Sequence, residues 1–242
     1  VRDGGVRLPE ACLVCNFPEP KGGDPALLQH RQVTTFFHEF GHLLHHLFGG
    51  RQRYLSFSGI ATEFDFVEVP SQMFEEWAWD AGVLQRFARH WKTGEPIPAE
   101  LVARMRAAEE YGKGLHVAQQ MYYAALSLSY YDRDPAGLDL DAHMIELKRR
   151  MTPSPHEEGT HFQASFGHLH GYSAIYYTYM WSLVIAKDLF SRFEEHLMDG
   201  ATARRYRQSV LAPGGSKDAV ELVRDFLGRD YAFEAWERWL QR

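Results

Sequence analysis

The chain has 242 residues, of which 45% are hydrophobic and 14% aromatic, and its formal net charge is -6. This composition excludes a disordered chain, and the length suffices for one large domain or two small ones. No basic stripe is present and no apolar run approaches the roughly 18–20 residues of a membrane span, so we expect neither nucleic-acid nor membrane partners. The chain starts at Val1 without a signal peptide, and we expect it to be a fragment or a processed product.

The first segment is predicted to be extended. A Gly4-Gly5 turn precedes Val6–Phe17, which lacks helical periodicity and is followed by prolines. Cys12 and Cys15 form a C-x-x-C pair without the second half of a zinc site. On a strand the two thiols would point to opposite faces, so we interpret them as packing residues rather than a redox pair. The absence of a disulfide framework favours the cytoplasm.

The next segment carries the pentapeptide HExxH. Apolar residues recur at helical spacing, which predicts a mostly buried helix from about Ala26 or His30 to Leu47, ended by Gly49-Gly50. On this helix His38 and His42 lie one above the other and can bind one metal ion. Glu39 is one step round the helix and can face the open side of that metal. This arrangement is typical of a zinc metallopeptidase, with two histidine ligands and a glutamate general base.

The remaining elements predict a mainly α fold with a few short β-strands. The loose alternation in Tyr54–Ser58 and Phe64–Val69 indicates two of these strands, and helical spacing begins again at Ser71. The glycines and prolines of Met151–Gly171 predict a long loop, and loops of that length are usually functional when they are ordered. Further helices are predicted at Glu100–Tyr111, Leu115–Tyr130, Asp139–Arg150, Ala174–Phe193, Thr202–Val210, Ser216–Leu227 and Tyr231–Leu240.

A catalytic zinc usually keeps three protein ligands, so a third must follow HExxH. The metzincin continuation fails, because His45 and Phe48 replace its glycine and its third histidine. Glu68 is favoured among the later acidic residues, since an unpaired carboxylate in its apolar surroundings would be costly to bury. Its alternative role is an exposed residue at a helix start, and Asp65 and Glu75 could orient the histidines. The full set of candidate carboxylates is Glu63, Asp65, Glu68, Glu75 and Glu76.

Several stretches together resemble the thimet oligopeptidase family, which includes neurolysin, oligopeptidase A and the bacterial peptidyl-dipeptidases. The resemblance runs from about Val14 to Asp230 in the family's order. The matching motifs are His38-Glu-Phe-Gly-His42, Phe57-Ser-Gly59, Asp65-Phe-Val-Glu68-x-Pro-Ser-Gln72, Leu27-Leu-Gln-His30, Phe166-Gly-His-Leu169, Tyr172-x-x-x-Tyr176-Tyr-x-Tyr179-x-Trp181 and Pro213-Gly-Gly-Ser216.

The resemblance implies a gluzincin, a zincin-like helical catalytic domain in which Glu68 is the third ligand of one Zn²⁺ beside His38 and His42. Glu39 corresponds to the general base. The substrate-handling residues correspond to His168, Tyr172 and Tyr179, with Tyr176 as a further candidate. The family often has two glycines before the first of these tyrosines, whereas this chain has His170-Gly171 and is one residue shorter.

The expected function is that of a zinc-dependent oligopeptidase that hydrolyses short unstructured peptides. Residues 1–242 would form a single catalytic region at the C-terminal end of a longer, two-lobed, monomeric peptidase. Two alternatives stay open. The protein could be a peptidyl-dipeptidase that releases C-terminal dipeptides, or this chain could hold zinc yet be inactive without an upstream helical region.

Overall fold

The computed structural model describes residues 8–242, and the regular structure in this range is helical. Strand-type pairing is limited there to two isolated bridges, Lys21 with Asp24 and Arg89 with Pro96. In chain order the helices are α1 (His30–Gly49), α2 (Val69–Glu75), α3 (Ala81–Leu84), α4 (Ala99–Glu110), α5 (Lys113–Tyr131), α6 (Leu140–Met151), α7 (Phe162–Ser165), α8 (His168–Gly171), α9 (Thr178–Phe190), α10 (Gly200–Tyr206), α11 (Ala219–Leu227) and α12 (Glu234–Gln241). Short 3-10 turns occupy Leu55–Phe57 and Glu76–Trp79, and Arg207–Leu211 is a π-helical turn.

The mainly α class is confirmed, but the predicted short strands are wrong where the structure describes them. Leu55–Phe57 forms a 3-10 turn, in which the amide of Ser58 donates to the carbonyl of Leu55 at 3.0 Å. The next predicted strand is also a turn, in which the amide of Phe66 donates to the carbonyl of Glu63 at 3.0 Å. Residues 8–17 have no regular secondary structure and form no backbone pairing with another described segment, and the Gly4-Gly5 turn lies outside the described residues. Alternation had suggested strands where local bonds satisfy the backbone instead.

Helix α1 begins and ends close to the predicted residues. The amide of Gln29 donates to Oε1 of Gln32 at 2.8 Å, which satisfies one backbone donor at the helix start. The helix is less buried than predicted, because within it the buried residues are Gly41, His45 and Gly49. Its apolar side chains are half-buried or exposed, and Phe36 keeps 37% of its surface. One face of α1 therefore packs on the protein while the rest is open.

The segment before α1 runs antiparallel to it. A Cβ added to Gly50 would lie 2.4 Å from Cβ of Pro9, and the rings of Phe17 and Phe36 are 6.4 Å apart. Both cysteines of this segment are free thiols, and Cys12 is exposed while Cys15 is half-buried. The prediction that both thiols pack in the interior is therefore wrong for Cys12, since no sheet forms here to cover it.

Helix α9 is the central element of the fold. Eight of its residues are buried, although its sequence shows little difference between faces. One apolar cluster joins it to α2 and α11 through residues such as Met73, Leu189 and Phe226. A second cluster joins its first turn to α5 through Tyr179 and Tyr122. A helix with cores on both sides has no need of a polar stripe, which explains the continuous apolar pattern.

Most other helices agree with the predicted spans within a few residues. The predicted helix Ala174–Phe193 is shorter, because residues 172–177 form turns before α9 starts at Thr178. The predicted loop Met151–Gly171 contains the short helices α7 and α8. None of the helices in the described part of the chain is both long and apolar enough to cross a membrane.

Candidate active site

Helix α1 presents two histidines to the same point. The rings of His38 and His42 are 5.0 Å apart and nearly perpendicular. Between them lies Gly41, where α2 approaches so closely that an added Cβ would be 2.6 Å from Cα of Ser71. The glycine of HExxH therefore has a packing reason, because any side chain there would displace α2.

The close approach of α2 brings Glu68 between the two imidazoles. This residue lies immediately before α2 and is 3% exposed. Its Oε2 is 3.3 Å from Nε2 of His38 and 3.1 Å from Nε2 of His42. These three side chains form the one group of potential metal ligands found in the part of the chain that the structure describes, with ligand atoms all within 4.8 Å of one another.

The electrostatics of these three residues are strongly coupled. Burial would raise the pKa of Glu68, but hydrogen bonds and charges from His38 and His42 hold it far below its usual range. Burial would lower the pKa of His38, yet its bonds to Glu68 and Glu75 raise it to about 10. The buried carboxylate of Glu68 is therefore stabilised by positive charge beside it, and it stabilises that positive charge in turn.

Other side chains hold these residues in position. Oε1 of Glu75 is 2.7 Å from Nδ1 of His38, which fixes the ring so that Nε2 faces Glu68. Ser71 donates its hydroxyl to Oε2 of Glu68 at 3.1 Å, and Tyr172 donates to Oε1 at 3.0 Å. The phenol of Tyr172 thus reaches the carboxylate, although the sequence predicts a shortened loop before it.

The other candidate carboxylates are engaged elsewhere. Glu63 accepts the amide of Ala219 at 2.8 Å, and Asp65 accepts the hydroxyl of Tyr177 at 2.8 Å. Asp65 therefore contacts a tyrosine of the α9 entry rather than either histidine, contrary to its predicted orienting role. Glu76 is buried and forms ion pairs with two cations, Arg106 and Lys187.

Glu39 follows His38 on α1 and is half-buried. Its charge contributes to the raised pKa of two other side chains, Cys15 and Tyr172. Burial first, and then the charge of Glu39, raise the pKa of the Cys15 thiol. Burial is also the main cause of the raised pKa of Tyr172, to which the charges of Glu68 and Glu39 add. The charge of Glu39 therefore acts both on Cys15, in the segment before α1, and on Tyr172.

The remaining predicted residues form an aromatic group that faces the three potential metal ligands. Ring centroids of Tyr172 and Tyr179 are 5.4 Å apart, and those of His168 and Tyr179 are 5.8 Å apart. Burial, followed by a hydrogen bond with Tyr172, raises the pKa of Tyr179 far above its usual range. Burial raises the pKa of Tyr176 to about 12, and its hydroxyl donates to Gln120 at 3.0 Å. All of these phenols are protonated at neutral pH and can donate hydrogen bonds.

A cleft of about 590 Å³ extends from His38, one of the three potential ligands, to this aromatic group. Its wall includes His38, Glu75, His168 and Tyr179. Gln72, which the sequence analysis did not single out for any role, also belongs to the wall. The signal that could have found it is its place in the Pro-Ser-Gln motif, which begins two residues after Glu68.

The comparison with known families agrees with this arrangement. A family model described as Peptidase family M3 matches residues 2–242, nearly the whole chain. The chain belongs to peptidase family M3. The resemblance to oligopeptidases drawn from the motifs is thereby confirmed.

Individual relatives of the M3 family show the same relationship. Oligopeptidase A of Escherichia coli is 36% identical over 239 residues, which are 96% of this chain and 35% of that protein. A thimet-like oligopeptidase of Dictyostelium discoideum is 37% identical over 231 residues, covering 93% of this chain and 34% of that protein. The dipeptidyl carboxypeptidase of Escherichia coli is 36% identical over 224 residues, which are 89% of this chain and 32% of that protein. The chain thus spans about a third of the length of these curated relatives.

Proposed function

We propose that this chain carries the catalytic centre of a zinc-dependent oligopeptidase that hydrolyses short unstructured peptides. The observation that carries the proposal is the convergence of His38, His42 and Glu68 to within 4.8 Å, beside a general-base candidate and a row of phenols. Membership of a peptidase family supports the reaction class. The cytoplasm is the proposed location, because both cysteines are free thiols.

The donor set fits zinc. Two imidazole nitrogens and one carboxylate oxygen are a common set of protein ligands at catalytic zinc sites, which leave a position open. Glu75 supplies the second hydrogen bond that a metal-binding histidine usually makes. Held by His38, His42 and Glu68, a zinc ion would polarise the substrate carbonyl and lower the pKa of water toward about 7.

The residues of the chain would perform the proton transfers and stabilise the developing charge. Glu39 accepts a proton from the water that attacks the peptide carbonyl and passes it to the leaving amine. Tyr179 donates a hydrogen bond to the developing oxyanion, since its raised pKa keeps the phenol protonated. Tyr172 already donates to Glu68, so its first role is to hold the ligand carboxylate. His168 lies 5.8 Å from the Tyr179 ring, at the cleft edge, where it can contact substrate.

The charges of the cleft favour internal cleavage over release of C-terminal dipeptides. Capture of a free carboxylate is strongest when an unpaired cation binds it. Arg106 and Lys187 both pair with Glu76, and Lys113 pairs with Glu110. Among the described residues that line this cleft, each lysine and arginine therefore already has a carboxylate partner.

The first test combines metal analysis with peptide cleavage by the intact protein. We expect about one zinc per chain, cleavage that a chelator abolishes, and equal cleavage of a peptide with a free or an amidated C-terminus. Zinc without cleavage would favour the alternative that this chain only holds the metal. A strict requirement for a free C-terminus would favour the dipeptidase alternative.

The second test examines the catalytic roles proposed for Glu39 and Tyr179. Glu39→Gln should retain zinc and lose nearly all turnover. Tyr179→Phe should lower kcat with little change in KM, the pattern of a contact made only in the transition state. The matched control is Tyr177→Phe, which removes a neighbouring hydroxyl that binds Asp65 instead of facing the ligands. Full activity of the Glu39→Gln protein would refute the mechanism.

A further inference from the structure

Three side-chain hydrogen bonds fasten α9 to the part of the chain that carries Glu68. Thr178 donates its hydroxyl to the carbonyl of Phe64 at 3.0 Å. Ser182 donates to the carbonyl of Asp65 at 2.8 Å. The third bond runs the other way, because Nε2 of Gln72 in α2 donates to the carbonyl of Tyr179 at 2.9 Å. In each bond a side chain of one segment donates to a backbone carbonyl of the other.

Gln72 forms hydrogen bonds with the backbone of both Glu68 and Tyr179. Its backbone amide donates to the carbonyl of Glu68 at 3.0 Å, while its side-chain amide donates to the carbonyl of Tyr179. Oε1 of Gln72 is buried and has no hydrogen-bond partner among residues 8–242. The bond from Nε2 to Tyr179 is thus the one hydrogen bond of this side-chain amide within the described residues.

The position of Tyr179 needs such a restraint. The residue lies in the first turn of α9, directly after the turns of residues 172–177. Within those turns Ser173 adopts a positive φ of 47°, an unfavourable conformation for a residue with a side chain. A donor to an oxyanion must be correct to a few tenths of an ångström, and a displacement of about 1 Å can cost roughly a hundredfold in rate.

We propose that Gln72 is a positioning residue that fixes Tyr179 relative to Glu68 and the two histidines. The inference rests on the proposed oxyanion role of Tyr179. Gln72 does not touch the reacting atoms, and it acts by holding the backbone from which the phenol projects. Its loss should therefore weaken transition-state stabilisation while leaving zinc and ground-state substrate binding intact.

The test compares Gln72→Met with Ser182→Ala in the intact protein. Methionine keeps the length of the side chain and removes the donor. Ser182→Ala removes a bond between the same two parts of the chain, one helical turn beyond Tyr179. We expect Gln72→Met to lower kcat about tenfold, with KM and zinc content unchanged, as for an interaction that matters only in the transition state. Ser182→Ala should lower Tm at least as much and change kcat less than twofold.

A binding measurement and a double mutant complete the test. Gln72→Met should weaken the binding of a phosphonate peptide, which mimics the tetrahedral intermediate, by about as much as kcat falls. In a Tyr179→Phe background the same substitution should lower kcat no further, because the two residues act as one unit. A full additional loss in that background, or an equal loss of kcat in Ser182→Ala, would overturn the positioning role.

The two proposals fail in different ways. If Tyr179→Phe lowers kcat and Gln72→Met does not, the positioning role is refuted and the proposed function stands. If Tyr179→Phe leaves kcat unchanged, the oxyanion role fails and the positioning role fails with it.

Discussion

The contact between α1 and α2 at Gly41 gives the sharpest test of how the site is assembled. A Cβ added there would lie 2.6 Å from Cα of Ser71 and 2.9 Å from the carbonyl oxygen of Pro70. Both atoms belong to backbone, so no flexible side chain can move aside. The added Cβ is about 0.8 Å short of the 3.4 Å at which ordinary van der Waals contact starts. In Gly41→Ala, α2 must therefore move away from α1 by most of that distance.

Two magnitudes follow from this displacement. Overpacking of this kind costs about 1–3 kcal/mol of folding free energy. Metal–ligand distances tolerate only about 0.2 Å, so moving Glu68 against the histidines by several times that amount should lower zinc affinity by at least tenfold. Stability and zinc affinity should fall together, because one contact controls both.

The assay measures zinc affinity by competition with a chromophoric chelator, and Tm of the metal-free protein by calorimetry. Gly200→Ala is the control, since an added Cβ at Gly200 meets nothing within 4 Å and alanine favours the helix. If Gly41→Ala bound zinc as tightly as the unchanged protein, the close approach of α2 would not be what places Glu68.

Two further predictions concern His38 and His45. Glu75→Ala removes the 2.7 Å bond to Nδ1 of His38 and should weaken zinc binding 10–100-fold. The control is Glu109→Ala, which removes another carboxylate that lines the cleft. An unchanged zinc affinity of the Glu75→Ala protein would refute the prediction. His45 is fully buried, and its burial is the main cause of a pKa lowered to about 4. Because its folded pKa lies below the ordinary 6.5, its stability contribution is complete above pH 6.5 and is lost toward pH 4 at up to about 1.4 kcal/mol per pH unit. His45→Leu should therefore lose less stability than the unchanged protein between pH 6.5 and 4.5 in denaturant titrations, and equal losses would show that His45 is not the group responsible.

The histidine pair and the favoured third carboxylate could be predicted from sequence because both follow from local rules. A helix places residues four apart on one face, and HExxH states that spacing directly. Glu68 was favoured because a carboxylate in an apolar run needs a partner, and the structure does bring it to the two imidazoles. Both arguments use only the neighbourhood of a residue in the chain.

The predictions that failed required knowledge of contacts between distant segments. Asp65 is three residues from Glu68, yet its carboxylate binds Tyr177, 112 positions along the chain. The strand predicted around Leu55 needed a partner strand, and alternation cannot reveal whether one exists. The burial of α1 was overestimated for the same reason, since periodicity shows which face is apolar but not how much of it is covered.

The centre lies where two parts of the chain meet. Helix α1 supplies both histidines, while Glu68 belongs to a unit formed by α2 and α9 that also carries Tyr179. Glu68 is buried where these parts meet, and a buried carboxylate is unfavourable without positive charge. In the structure His38 provides that charge, since its pKa is raised to about 10. A divalent cation bound by the same three residues would supply it in place of the proton, and would at the same time hold α1 to the unit that carries the oxyanion donor.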